Sequence, residues 1–208
     1  MVNFETKRLT RNAINEYLLR KFDGKPYKLI DSSSIFGFIN SIYKDKDKSV
    51  NVDSYLFSIA QLLHQYTKRP VSHIYTFLNT QLNNLPLTNK TNNLQKITKT
   101  LLDIGLANYG SKRETTFRQF KGEGFSYDYL KKLIKDKRPV MLTLLGDGRD
   151  YYSHHSVVVV GYVHYQCNDG KEGKLLKVAD GIMENDMAYG YIDYDLIDRV
   201  SFINFIYN

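Results

Sequence analysis

Apolar residues recur at helical spacing through the first half of the chain and gather into short strand-like runs in the second. From Asn12 to Lys21, Ile14, Leu18 and Leu19 predict a helix, and Asp23-Gly24-Lys25-Pro26 predicts the turn that follows it. Ile35, Phe38, Ile39 and Ile42 predict a second short helix over Ser33 to Tyr43, with a charged loop at Asp45 to Ser49. The strongest helical pattern runs from Ser54 to Thr67, where Leu56, Ile59, Ala60, Leu63 and Tyr66 keep the 3.6-residue period. Asp53 or Ser54 is placed to cap it, and Lys68-Arg69-Pro70 ends it. Val71 to Leu82 and Leu94 to Leu106 predict two more helices, separated by a polar loop from Asn83 to Asn93.

The period then changes. Thr115 to Gly124 contains a candidate strand, and Ser126 to Lys137 a short helix with Ser126 or Asp128 near its cap. Val140 to Leu145, Ser156 to Tyr165, Lys174 to Ala179, Tyr189 to Tyr194 and Ser201 to Tyr207 read as strands, the second holding four consecutive valines. Helices ahead of strands predict an α+β fold, with a helical N-terminal half packed on a C-terminal antiparallel sheet. Residues 1–45 read as a helical extension and 46–208 as the main domain. The extension either packs on that domain or covers a cleft in it.

Composition narrows the function classes. Hydrophobic residues make up 42% of the 208, with 17 Tyr and 11 Phe, enough for a large core. No apolar stretch reaches the roughly 18 residues of a membrane-spanning helix. Met1 to Arg11 is polar, so no signal peptide is expected, which suits a cytoplasmic protein or a secreted one with its leader removed. The net charge of +7 raises nucleic acid as a partner. Yet the densest basic group, Lys131, Lys132, Lys135, Lys137 and Arg138, reads as a solvated helix face, and no phosphate loop or zinc-ligand spacing accompanies it. No cofactor and no metal site is expected. A single cysteine, Cys167, excludes a disulfide framework and sits in what reads as a polar loop.

The segment from Tyr152 to Asp180 carries candidate chemistry. His154 and His155 precede the valine strand, and neighbouring side chains on a strand point to opposite faces, so only one serves a given site. A turn at Asn168-Asp169-Gly170 brings the chain back, and Asp180 closes the returning strand near the histidine. An acid so placed orients an imidazole. Each residue alone has a plainer reading: a histidine at a strand rim, and an Asp-Gly turn. His64, His73 and His164 read as surface or structural residues.

HSVVVVGY (His155 to Tyr162) followed by KVADG (Lys177 to Gly181) resembles the His and Asp motifs of papain-like bacterial cysteine peptidases, the relatives of double-glycine leader peptidases that process bacteriocins. Their first motif places the nucleophilic cysteine at the start of a long helix. SYLFSIAQLL (Ser54 to Leu63) is similar to it in shape, with Ala60, Leu62 and Leu63 in register and Ser54 on the cysteine position. The resemblance covers about Val50 to Tyr207. It implies a papain-like fold and a peptide or protein substrate. Position 54 becomes the nucleophile, His155 the general base and Asp180 the residue that orients the imidazole. The helix N-terminus favours a thiolate at position 54. The family's oxyanion glutamine has no counterpart, because Lys48 stands at that position, and Asn51 is the nearest amide.

Ser54 reads as an inactivating substitution of cysteine. The alternative is a naturally inactive relative that uses the old cleft to bind a peptide or protein. Hydrolysis, transamidation and deamidation share this machinery, and neither the substrate nor the oligomeric state follows from the sequence.

Overall fold

The structure is a computed structural model describing residues 9–36, 38, 54–85, 94–145, 155–180, 189–197 and 201–207. It is α+β, with helices packed on a mixed-length antiparallel sheet. The elements are α1 (Ile14–Lys21), β1 (Tyr27–Ser34), α2 (Ser54–Thr67), α3 (Val71–Asn84), α4 (Leu94–Asn108), β2 (Thr115–Gln119), α5 (Tyr127–Lys135), β3 (Val140–Leu144), β4 (His155–Cys167), β5 (Glu172–Ala179), β6 (Gly190–Asp193) and β7 (Phe202–Ile206). The sheet runs β2-β7-β3-β4-β5-β6, with β1 also paired to β4. Among the described residues, no helix is long and apolar enough to cross a membrane.

Strand β4 is the spine. Its first half pairs with β3, Leu144 opposite His155 and Val140 opposite Val159. Its second half pairs with β1, from Gly161 opposite Ser34 to Cys167 opposite Tyr27. Strands β3 and β1 therefore meet end to end along one side of β4, while β5 runs along the other. A bulge between Val159 and Gly161 interrupts the β5 ladder, and the carbonyl of Val160 accepts the N–H of Ile35 at 2.7 Å. A bulge adds one residue and resets which side chains share a face.

Two layers cover the faces of this sheet. Met141 and Ile206 pack with α2, α3 and α4 in one apolar cluster. Val163, Tyr165, Cys167 and Leu175 pack under α1, with Ile14, Leu18 and Phe22. Strand alternation and the bulge put both clusters on the same face. The other face carries α5, where Leu130, Leu133 and Ile134 join Leu142, Val157, Tyr162 and Ile203.

Helix α2 is buried all round, with every residue from Leu56 to Leu63 inside. It packs on β3 and β4 and also against α3 and α4, the setting in which a helix loses its polar face. Gly105 of α4 faces Leu63, and a Cβ there would collide with the Leu63 side chain, so the glycine permits the close approach of the two helices.

The sequence expectations for α1, α2, α3, α4 and α5 coincide with the observed helices to within a few residues. The second helix expected from Ser33 is corrected: Ser33 and Ser34 end β1, and Ile35, Phe36 and Phe38 are not helical; the remainder of that expectation lies outside the described residues. The strand is hidden in the sequence for a physical reason. Its register shifts between Leu29 and Asp31, which leaves Leu29 and Ile30 both exposed and breaks the alternation by which a strand is recognised. Part of residues 1–45 thus belongs to the sheet itself.

The basic residues of α5 read from sequence as a solvated face. Two of them meet an acid instead. Asp31 of β1 accepts from Lys135 at 2.8 Å and from the Tyr162 hydroxyl at 3.0 Å, and Lys131 lies 3.5 Å away. The Lys135 hydrogen bond leads in holding the Asp31 carboxyl below its ordinary pKa, despite the opposing effect of burial. A depressed folded-state pKa contributes stability that is present above the unfolded value, near 4, and is lost as pH falls through the folded value. We expect chemical-denaturation stability to fall below about pH 4, and Asp31→Asn to flatten that acid limb and lower stability at pH 7. Ser126 caps α5 by accepting from the Tyr129 N–H at 3.2 Å. Ser126→Ala should cost about 1 kcal/mol in the same measurement.

Candidate functional site

Three separated segments converge where β4 begins. Helix α2 starts at Ser54, and the Ser54 hydroxyl accepts a 3.4 Å hydrogen bond from the N–H of Ser156. That residue follows His155 directly. The imidazole of His155 meets residue 180 at the end of β5, Nε2 lying 3.2 Å from the main-chain carbonyl of Asp180. Ser54 is half-buried, His155 is half-buried and Asp180 is buried. Backbone pairing accounts for the gathering: Val158 stands opposite Ala179, so the start of β4 and the end of β5 are adjacent, and α2 packs on β3 and β4.

The contact with residue 180 runs through its carbonyl oxygen, whereas the motif points to the carboxylate. A carbonyl only accepts, so Nε2 must carry a proton in this arrangement. In the neutral ring Nδ1 is then the basic nitrogen. The Ser54 hydroxyl, among the described residues, is bonded to the main chain at Ser156 and not to the imidazole. Its position at the first turn of a 14-residue helix exposes it to the positive end of the helix dipole, which favours a developing anion.

Beneath Ser54 the helix presents Ser58 and Gln61, one and two turns along the same side. Both are buried, and the Ser58 hydroxyl and the Gln61 amide have no protein partner among the described residues. Asn204 of β7 is likewise buried with its amide unpartnered. Ser156 and Thr143 bond to each other at 3.1 Å across β4 and β3. These polar residues lie hidden in segments that read as apolar, and the i, i+4, i+7 spacing of Ser54, Ser58 and Gln61 is the signal that marks them.

Other candidates fall away from this place. Asn51, Lys48 and His154, and the loop from Gly146 to Tyr152, lie outside the described residues. Cys167 is a buried, free thiol in the cluster under α1, which makes it a packing residue and not the loop thiol its neighbours suggested. His164 binds Glu172 at 3.1 Å and packs edge-on against Tyr127, while His64 bonds to the carbonyl of Arg69 at 2.7 Å. Among the described residues, no group of three or more His, Cys, Asp or Glu is placed to hold a metal ion.

In comparisons with known proteins, no family model and no curated protein matches this chain.

The carbonyl contact fixes a measurable state. Nitrogen-15 NMR of the neutral protein should show His155 as the Nε2–H tautomer, with Nδ1 in the shift range of an unprotonated ring nitrogen. A neutral Nδ1–H form would contradict this geometry.

Proposed function

We propose that this chain is a papain-like domain of the cysteine peptidase type, acting on a peptide or protein, with Ser54 standing where the nucleophilic cysteine belongs. The observation that supports it is that the Ser54 hydroxyl bonds the main chain of Ser156, next to His155, while the His155 imidazole meets residue 180 at the end of β5. These contacts join segments remote in sequence, though His155 meets the carbonyl of residue 180 and not the carboxylate to which the motif points.

The chemistry follows from these groups. A thiol at position 54 would ionise readily at a helix N-terminus beside an imidazole, and the thiolate would attack a carbonyl carbon. The main-chain N–H at position 54 would donate to the oxyanion that forms. His155 would take the thiol proton at Nδ1 and pass it to the leaving amine, while the residue-180 carbonyl holds the ring through Nε2–H. Water then releases the acyl group by the same proton route in reverse. Serine is a poor substitute, because its hydroxyl has no anion that an imidazole stabilises as a pair near neutral pH. Asn51 remains the proposed amide donor to the oxyanion on sequence alone.

One observation favours a second reading. The Ser54 hydroxyl is engaged with the Ser156 main chain, a bond suited to a structural serine in a naturally inactive domain that holds a peptide without cutting it. A nucleic-acid role draws less support, because the densest basic helix has Lys131 and Lys135 turned to Asp31.

Substitution separates the readings. Ser54→Cys should react with iodoacetamide near pH 6.5 at the new thiol while the buried Cys167 stays unlabelled, and should gain thiol-dependent cleavage of peptide substrates. Adding His155→Ala should lower kcat/KM by about 100-fold or more, the usual worth of a general base. Asp180→Asn keeps the carbonyl contact and should cost less than about tenfold, no more than the net worth of one ordinary hydrogen bond. An inert thiol at position 54 would sink the catalytic reading and leave the binding one.

A further inference from the structure

A concave surface lies along the other half of β4, apart from Ser54, His155 and Asp180. It is a pocket of about 690 Å³ between the start of α1, strand β1 and strands β4 to β6. Its lining includes two cations, Arg11 and Lys177, and the serine run Ser32 to Ser34. Among the described residues no carboxylate lines it, and neither cation is paired with one.

Lys177 is held in place. Its ammonium donates to the Ser34 hydroxyl at 3.2 Å and sits 4.1 Å from the centre of the Tyr189 ring. Ser34 and Lys177 belong to strands on opposite sides of β4, and both stand opposite Gly161. A Cβ on Gly161 would lie 2.6 Å from the Ser33 carbonyl oxygen and 2.9 Å from the Ser34 hydroxyl. The bare backbone at Gly161 is therefore what lets a side chain from β5 reach one from β1 across the central strand. Burial pushes the Lys177 pKa down, and the Arg11 guanidinium pushes it the same way. The fold thus places two like charges around one cavity with no carboxylate among the described residues that line it, an arrangement that an anion would offset. At the mouth, Phe36 is 78% exposed, and its ring centre lies 6.0 Å from the Lys177 ammonium.

We infer that this pocket binds an organic anion, a carboxylate or phosphate on an apolar or aromatic body, with Arg11 and Lys177 taking the charge and Phe36 the body. Arg11 supplies planar paired donors and Lys177 a point charge fixed over an aromatic ring. The inference does not depend on the peptidase reading, since none of the three catalytic candidates takes part.

Calorimetry at low ionic strength on the full chain tests it, with phenyl phosphate, benzoate, inorganic phosphate and phenol as probes. We expect phenyl phosphate or benzoate to bind several-fold more tightly than inorganic phosphate, the better of the two identifying the anion, and phenol not to bind. Lys177→Gln and Arg11→Gln should each weaken that binding about tenfold, Phe36→Ala should remove the advantage over inorganic phosphate, and Lys132→Gln on α5 should leave it unchanged. Arg11 is exposed, so its variant keeps the test valid if Lys177→Gln unfolds. Failure of both organic anions to bind, or equal losses in Lys132→Gln and Arg11→Gln, would overturn the inference.

Discussion

Everything in this molecule is arranged along one strand that must serve three neighbours. Strand β4 is 13 residues long, longer than any other in the sheet, and no single partner matches its length. Its main-chain groups would be left unpaired over half their run if β3 alone lay beside it, and buried unpaired amides are costly. Strand β1 completes the pairing, and the bulge at Val160 absorbs the change of register on the β5 side.

That division gives the strand two working ends. At its start, α2 ends its N-terminus against Ser156, and β5 delivers residue 180 to the imidazole of His155. At its far half, β1 and β5 flank Gly161 closely enough for Ser34 and Lys177 to bond over it. Both α1 and α2 lie on the same face of the sheet. The opposite face is closed by α5, which Asp31 ties to β1 through Lys135 and Lys131.

The energetic character of the two ends differs. The first is a small hydrogen-bonded arrangement at a helix terminus, where the Ser54 hydroxyl meets the Ser156 main chain and the His155 imidazole meets the carbonyl of residue 180. Behind it the helix carries buried amide and hydroxyl groups, Gln61 and Ser58, within an otherwise apolar stretch. Buried polar groups without a protein partner are the usual places for internal water. The second end is a cavity lined by two cations, with no carboxylate among the described residues that line it and an exposed ring at its rim.

Much of this was written in local pattern. The five helices from α1 to α5 and the strands β3 to β7 follow from apolar periodicity, because each buries one face or one run against the core. The valine strand, the turn at Asn168 to Gly170 and the pairing of His155 with position 180 were legible for the same reason, since a hairpin links residues close in sequence. Strand β1 was not legible, because its bulge and its serines hide the alternation and its partner lies more than a hundred residues away. Nor were the carbonyl contact of His155, the burial of the Gln61 and Asn204 amides, or the placement of Arg11 and Lys177 around one pocket. Apart from β1, sequence alone determined which of these segments are helices or strands and which residues are able to do chemistry, since those depend on spacing and side-chain type. Only the tertiary structure decided which nitrogen of the histidine faces residue 180 and which charges share a cavity, because both depend on contacts between segments that spacing does not relate.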